Sequence, residues 1–274
     1  MSKRSIVMLI NSSRTEAQGA AQEITKVLSQ AGIEVLSSKD ATQSGVEVVL
    51  VLGGDGTILR GAEIALDLNV PLLGINLGHV GFMAEVEKPA LSEIAASVIA
   101  KDYVTENRMV LKYSVERAGK VVDTGWALNE VTVEREKATM VELFLEIDSR
   151  PISRWGCDGL ICSTPTGSTA YAFSAGGPIL WPEVDALVVL PISAHALFSR
   201  PLVISPTSKI AVGIESSEAF LSADALRKFA LLRGDRVLVT KNPPIIRLAH
   251  LKNTLFSDRL VAKFKLPVEG WRGE

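Results

Sequence analysis

Two segments of this sequence hold residue types and spacings that suit phosphoryl chemistry. The first is Gly53-Gly54-Asp55-Gly56-Thr57, one carboxylate among three glycines. It follows Val46–Leu52 (VEVVLVL), an almost wholly apolar, β-branched run of the kind buried on both faces of a parallel sheet. Behind it, Ile58, Ala62, Ala65 and Leu66 recur at helical spacing. A glycine-rich turn between a strand end and a helix start lets backbone N–H groups approach a phosphate closely, and the helix N-terminus favours the anion. Thr57 is a candidate cap for that helix. Asp55 does not suit a loop that only holds phosphate. A carboxylate there repels the anion unless it binds Mg²⁺ or takes a proton from an attacking hydroxyl. The plain alternative is a tight turn with Asp55 as a cap. Arg60, one helical turn on, either projects toward bound phosphates or is a solvated helix residue.

The second segment is the 24 residues between Asp158 and Glu183, which contain no charge. Pro165, Pro178 and Pro182, four glycines and many hydroxyls rule out a membrane helix. Ser163, Thr164, Thr166, Ser168, Thr169, Ser174 and Tyr171 fall within twelve positions. Hydroxyls and backbone amides make a neutral hydrogen-bonding surface for ribose, amide and phosphate groups. A Ser/Thr-rich surface loop fits poorly, because Phe173, Ile179, Leu180 and Trp181 lie in the same stretch. Thr169 to Ala175 has room for one or two helical turns, ended by Gly176-Gly177. Other catalytic signatures are absent. There is no G-x-x-x-x-G-K-[ST], no H-E-x-x-H and no G-x-S-x-G, and Leu59 occupies the third glycine position of a G-x-G-x-x-G. The three histidines are scattered, so no metal-ligand spacing exists and no metal-binding residue is assigned. Cys157 and Cys162 are five apart, which fits neither a C-x-x-C pair nor a zinc ribbon; they read as reduced thiols of a cytoplasmic protein.

The elements that position these segments divide in two, as 274 residues suggest. Ser5–Ile10, Ile33–Leu36, Val46–Leu52 and Val70–Ile75 read as strands. Thr15–Ala31, closed by Gly32, and Leu91–Ala100 read as helices. This β-α-β order predicts a Rossmann-like α/β domain with a mostly parallel sheet over residues 1–101. From Tyr103 the period becomes two. Val141, Leu143, Leu145 and Ile147 alternate with Glu142, Phe144, Glu146 and Asp148, and Ile210, Val212 and Ile214 alternate with smaller residues. Turn signals at Ala118-Gly119 and Asn242-Pro243 separate short runs. An all-β domain of layered antiparallel sheets is expected over 102–256. Ser257–Phe264 reads as a helix, and 257–274 as a helix and tail.

Charge and composition exclude several classes. Lys and Arg number 29 against 31 Asp and Glu, a net charge of −2, so no basic excess signals sequence-independent nucleic-acid binding. The apolar run Ile6–Ile10 is too short for a signal peptide, and no run approaches ~18 apolar residues. Hydrophobic residues at 47% and charged residues at 22% describe a globular chain with no membrane segment.

Gly-Gly-Asp-Gly-Thr resembles the phosphate-donor loop shared by NAD kinases, diacylglycerol and sphingosine kinases and, with Ser in the last position, 6-phosphofructokinases. Thr164-Pro-Thr-Gly-Ser-Thr-Ala-Tyr171 and Ser174-Ala-Gly-Gly-Pro178 closely resemble the signature of NAD kinases alone. Trp126-Ala-Leu-Asn129-Glu130-Val131, Asn76-Leu-Gly78-His79-Val-Gly81-Phe82, Ala194-His195-Ala-Leu-Phe-Ser-Arg200-Pro201 and Phe256-Ser-Asp258-Arg259 resemble further landmarks. Leu266-Pro-Val-Glu-Gly-Trp-Arg-Gly273 resembles a bacterial branch in which inorganic polyphosphate can replace ATP. The resemblance implies a cytoplasmic kinase that makes NADP from NAD with ATP or polyphosphate, aided by Mg²⁺ or another divalent cation, in a homodimer or homotetramer. It implies Asp55 as general base toward the 2′-hydroxyl of the adenosine ribose. Gly53, Gly54, Gly56 and Thr57 would hold donor phosphates, with Arg60 as a helper. Asp55, Gly56, Asn129, Glu130, Asp158 and Thr169, Ala170, Tyr171, Ala172, Phe173 and Ser174 would form the NAD site. It also implies that the C-terminal helix and tail return to the first domain. Asp224 falls where many members read Asp-Gly; here Ala225 follows. Glu134–Met140 matches no fixed family word. Two other readings share part of this pattern: another kinase of the superfamily acting on a lipid or sugar, which leaves Thr164–Tyr171 unexplained, and a catalytically silent NAD(P)-binding regulator, for which a changed Asp55 would be the sign.

Overall fold

Apolar runs of period two and helical runs of period 3.6 set the element order. The structure is a computed structural model that describes residues 4–41, 45–77, 81–83, 90–216, 218–252 and 255–267. The first elements are β1 (Ser5–Ile10), α1 (Thr15–Gln30), β2 (Glu34–Leu36), β3 (Val46–Leu52), α2 (Asp55–Leu68), β4 (Leu72–Ile75) and α3 (Leu91–Ala100). A run of strands follows: β5 (Val104–Arg117), β6 (Lys120–Ala127), β7 (Glu130–Arg135), β8 (Val141–Ile147), β9 (Arg150–Cys157) and β10 (Gly159–Ser163). The short helix α4 (Tyr171–Ser174) precedes β11 (Leu187–Ile192), β12 (Leu202–Ile204), β13 (Ile210–Ile214), β14 (Glu218–Ala223), β15 (Arg227–Leu232) and β16 (Arg236–His250). Helix α5 (Phe256–Phe264) is last.

The chain forms two compact units, Met1–Arg108 with Ile246–Glu274, and Met109–Ile245. These bounds differ from the expected 1–101, 102–256 and 257–274. The chain crosses between the units inside two long strands, β5 and β16, and not in loops. Asn242-Pro243, expected as a turn, lies within β16. That strand pairs with β13 at Arg236–Val239 and with β4 at Leu248–Ala249, and the proline falls between these two pairings.

In the first unit the strands run parallel in the order β2-β1-β3-β4, followed by the end of β16. Ile6, Val48, Leu50, Leu52, Leu73 and Ile75 share a core with Ala17, Ile24 and Leu28 of α1 and Ile94 and Val98 of α3. The alternate residues of β3 and β4 meet α2. A Cβ at Gly61 would stand 2.5 Å from Val51 Cγ2 and 3.0 Å from Leu72 Cδ1, and one at Gly74 would stand 2.6 Å from Ile58 Cδ1. Helices thus cover both sheet faces, which is why VEVVLVL needs no polar side beyond Glu47.

The second unit is built from antiparallel strands. One sheet has the order β12-β11-β10-β7-β14-β15; the other carries β13-β8-β9 beside β16, with β5 and β6. Val141, Leu143, Leu145, Ile210, Val212 and Ile214 face a core with Val131, Val133, Leu160, Cys162 and Leu221. The opposite face of β10 and β11 is also covered: Ile161, Val188 and Leu190 pack with Ala172 of α4. Double coverage explains why β10 is buried along its whole length and why no charge appears there.

Substituting Gly61→Val forces methyl groups against Val51 and Leu72 and should lower unfolding stability by about 1–3 kcal/mol. Urea unfolding of the full chain measures this; an unchanged midpoint contradicts the close packing of α2 on β3.

Candidate active site

Strand β3 ends at Leu52, and the Gly53 N–H donates to the Ile75 carbonyl at 2.9 Å, tying the glycine turn to the end of β4. Helix α2 then starts at Asp55, with Gly54 as its N-cap and no side-chain cap. Thr57 is therefore inside the first turn and is not the expected cap; its N–H donates to the Gly54 carbonyl at 2.8 Å. The glycines serve different ends. A Cβ at Gly53 would fall 2.7 Å from Thr57 Oγ1, whereas one at Gly54 or Gly56 would meet nothing within 4 Å. Neither crowding nor a left-handed φ requires glycine at 54 or 56. Bare backbone beside open space at a helix N-terminus is what close approach of a phosphate needs. Arg60 is exposed on α2.

The Asp55 carboxylate lies against a second glycine. A Cβ at Gly81 would stand 2.3 Å from Asp55 Oδ1, so any side chain there would push the carboxylate out of this position. The Phe82 N–H donates to Asp55 Oδ2 at 3.4 Å. Asp55 Oδ1 is buried and has no hydrogen-bond partner among the described residues. The 53–57 and 76–82 words, read separately in the sequence, thus meet at one carboxylate. Gly78 and His79 of the second word lie outside the described residues, as does the tail 268–274.

In the second unit the organising group is Asp224. Its carboxylate accepts from three consecutive amides: Leu128 N–H at 2.8 Å, Asn129 N–H at 2.7 Å and Glu130 N–H at 3.3 Å. Asp224 and Ala225 both have left-handed φ, 53° and 54°, in the turn between β14 and β15. Glycine would adopt this without strain; alanine holds the same turn at a cost of about 1 kcal/mol. The departure at Ala225 leaves the turn intact. Thr164 closes the other side. Its N–H donates to the Asn129 carbonyl at 2.9 Å and its hydroxyl to the Leu128 carbonyl at 2.6 Å. A Cβ at Gly167 would stand 2.2 Å from the Asn129 carbonyl oxygen. The hydroxyls of 163–169 are thus largely spent on backbone: Ser168 Oγ donates to the Pro165 carbonyl at 2.7 Å and accepts from Leu180 N–H at 2.9 Å.

Two side-chain atoms in this frame are left over. Asn129 Oδ1 and Glu130 Oε2 are buried without a partner. Burial, with the Asp224 charge beside it, pushes the Glu130 carboxyl up to about 8, against an N–H donated from the Tyr171 backbone. Burial also raises Asp224, but its three amides and Arg227, 3.9 Å away, favour its charged form. Asp158 pairs with Arg135 Nε at 2.7 Å. Tyr171 and Phe173 are exposed, as is Ser174, and the Tyr171 hydroxyl donates to Glu134 at 3.3 Å. Thr169 and Ala170 are half-buried, whereas Ala172 is fully buried and its side chain packs the segment onto β10 and β11.

Residues 39–103 match a family model described as the ATP-NAD kinase N-terminal domain, and 128–251 match the ATP-NAD kinase C-terminal domain. The chain belongs to the NAD kinase family. It is 45% identical to the NAD kinase of Thermobifida fusca, over 98% of this chain and 92% of the relative. It is 43% identical to that of Mycobacterium tuberculosis, over 99% of each. A crystal structure of an Archaeoglobus fulgidus NAD kinase in complex with ATP aligns with a TM-score of 0.75 at 28% identity, covering 96% of this chain and 98% of that one. Yeast NADH kinase complexed with NADH shares the fold, with a TM-score of 0.83 at 22% identity over 98% of this chain and 89% of that one.

Family words pointed to Asp55, Gly81, Asn129, Glu130, Asp158 and Asp224 one by one, but nothing in the sequence joined Gly81 to Asp55, Asp224 to the amides of 128–130, or Asp158 to Arg135, which had no assigned role. Among the described residues no three His, Cys, Asp or Glu side chains gather into a metal cage. Single carboxylates with open oxygens fit a divalent cation carried on substrate phosphates, since Mg²⁺ keeps several waters and takes one or two carboxylates.

The raised Glu130 has a thermodynamic consequence. The folded chain keeps a proton that the unfolded chain releases between about pH 4.5 and 8, so stability falls as pH rises through that window. One pKa unit is worth about 1.4 kcal/mol, so half of this shift is already about 2 kcal/mol. Glu130→Gln, neutral throughout, should flatten this slope of the ligand-free chain between pH 5 and 8, as read by denaturant unfolding. An unchanged slope contradicts a protonated Glu130.

Proposed function

We propose that this chain phosphorylates the 2′-hydroxyl of the adenosine ribose of NAD, with ATP or inorganic polyphosphate as donor, giving NADP. The observation that carries the reading is Asp55: a carboxylate with one unpartnered buried oxygen, at the start of a helix whose glycine backbone faces open space. Gly54 and Gly56 offer backbone amides to donor phosphates at the helix N-terminus, Thr57 its hydroxyl and Arg60 its charge, while Gly53, whose N–H is tied to Ile75, shapes the turn that holds them. Asn129 and Glu130 offer oxygen acceptors to nucleotide hydroxyl and amide groups. Asp158, Thr169, Ala170 and Ser174 complete the acceptor site, and Tyr171 and Phe173 present rings for stacking. Asp55 takes the proton of the attacking hydroxyl while the hydroxyl oxygen forms its bond to the terminal phosphorus and the bond to the donor's leaving oxygen breaks. A divalent cation, when bound, neutralises phosphate charge.

Catalysis of this kind is mainly positioning and charge stabilisation, with base help worth about 10²–10⁴-fold. We place the reaction in the cytoplasm, where both buried thiols, Cys157 and Cys162, stay reduced. Among the described residues no helix is long and apolar enough to cross a membrane. A homodimer or homotetramer belongs to this reading, supported by the exposed Ile152 on the edge strand β9.

Activity is tested with ATP, GTP and polyphosphate, each against NAD and NADH; no NADP or NADPH in any combination overturns the reading. Asp55→Asn should leave NAD affinity within about twofold and lower kcat by about 10²–10⁴-fold. Near-native turnover removes Asp55 from the base role.

A further inference from the structure

Helix α5 carries Arg259, a guanidinium only 3% exposed. A buried arginine is weak evidence for stability, because desolvation offsets its pairing. Its Nε is buried without a partner, so the site is not arranged to satisfy the guanidinium fully. The bonds it does make converge on one place. Nη1 donates to the Phe82 carbonyl at 3.2 Å. Nη2 lies 3.1 and 3.2 Å from the ring nitrogens of His250, at the end of β16. Glu106 stands behind both, 3.1 Å from His250 Nε2 and 3.6 Å from Arg259 Nη1, and also pairs with Arg108. Burial would raise Glu106, but His250 and Arg108 pull it down to about 2, so it is ionised at neutral pH. The Phe82 ring is held as well, with centroids 5.9 Å from Phe256 and 5.7 Å from Phe264 of the same helix.

Phe82 is also the residue whose N–H meets Asp55, and its neighbour Gly81 is the surface on which the Asp55 carboxylate rests. One peptide segment therefore has Arg259 on its carbonyl side and Asp55 on its amide side.

We infer that Arg259, steadied by His250 and Glu106, is a positioning residue for the reaction: it fixes the Gly81-Phe82 backbone and through it the direction of the Asp55 carboxylate. The inference rests on the reading of Asp55 as the base. A purely structural Arg259 would affect folding and all activity alike. A positioning Arg259 acts only while there is a base to aim.

A double-mutant cycle on the full chain separates these. Arg259→Lys should lower kcat by about tenfold or more, because misplacement of a reacting group by about 1 Å can cost 10²-fold. KM for NAD and for ATP should stay within about twofold. In the Asp55→Asn background the same change should lower the residual kcat by less than about twofold. Equal losses in both backgrounds, a loss confined to KM, or no loss overturn the inference. If Arg259→Lys does not fold, Glu106→Gln is judged by the same pattern, since it removes the charge that steadies His250 and Arg259. Failure of the underlying reading looks different: Asp55→Asn alone then turns over at the native rate, whatever Arg259 does.

Discussion

The carboxylate of Asp224 gathers the amides of Leu128, Asn129 and Glu130, and the polar frame of the second unit depends on that anchor. Three N–H donors can be satisfied by one side chain only if the backbone curls around it. The Asn129 carbonyl accepts from Thr164, and Asn129 Oδ1 and Glu130 Oε2 are buried without a partner among the described residues. The Asp224 charge also lies beside Glu130 and adds to burial in keeping that carboxyl protonated. A buried acceptor without a donor is costly unless something supplies the donor. Ribose and amide groups of a nucleotide are donors of the right kind, which is what the proposed acceptor site asks of them.

The first unit follows the same rule with a different anchor. Gly81 lets the Asp55 carboxylate approach the backbone to a distance no side chain would allow. Neither this loop nor the segment 159–182 contains Lys or Arg, although both are read as handling polyanions. Backbone amides, hydroxyls and a helix N-terminus supply positive potential without placing long flexible cations in the site. The net charge of −2 is therefore compatible with a chain that handles nucleotides and phosphates.

Much of the fold was legible because period carries it. Val46–Leu52 forms the buried strand its composition suggests, and Val141, Leu143 and Leu145 face one core as their alternation requires. The Asn242-Pro243 turn failed because a local breaker signal says nothing about where a strand changes neighbours. The site was legible where residues adjacent in sequence act together, as in 53–57 and 129–130. Gly81 with Asp55 and Asp224 with Leu128–Glu130 join single residues far apart in sequence, and no periodicity announces such pairs. The hydroxyls of 163–169 were read as ligand-facing, yet Thr164 and Ser168 chiefly cross-brace backbone. Composition alone does not separate a bracing hydroxyl from a binding one.

Burial and the Asp224 charge hold the Glu130 carboxyl up at about 8, and in the proposed acceptor site that carboxyl would accept from nucleotide hydroxyls. Donors to a carboxylate favour its ionised form, so binding should expel the proton. Calorimetric titration of NAD into the native chain at pH 7, in two buffers of different ionisation enthalpy, counts that proton directly. The expected result is release approaching one proton per site. Binding heats that do not change with the buffer would contradict it.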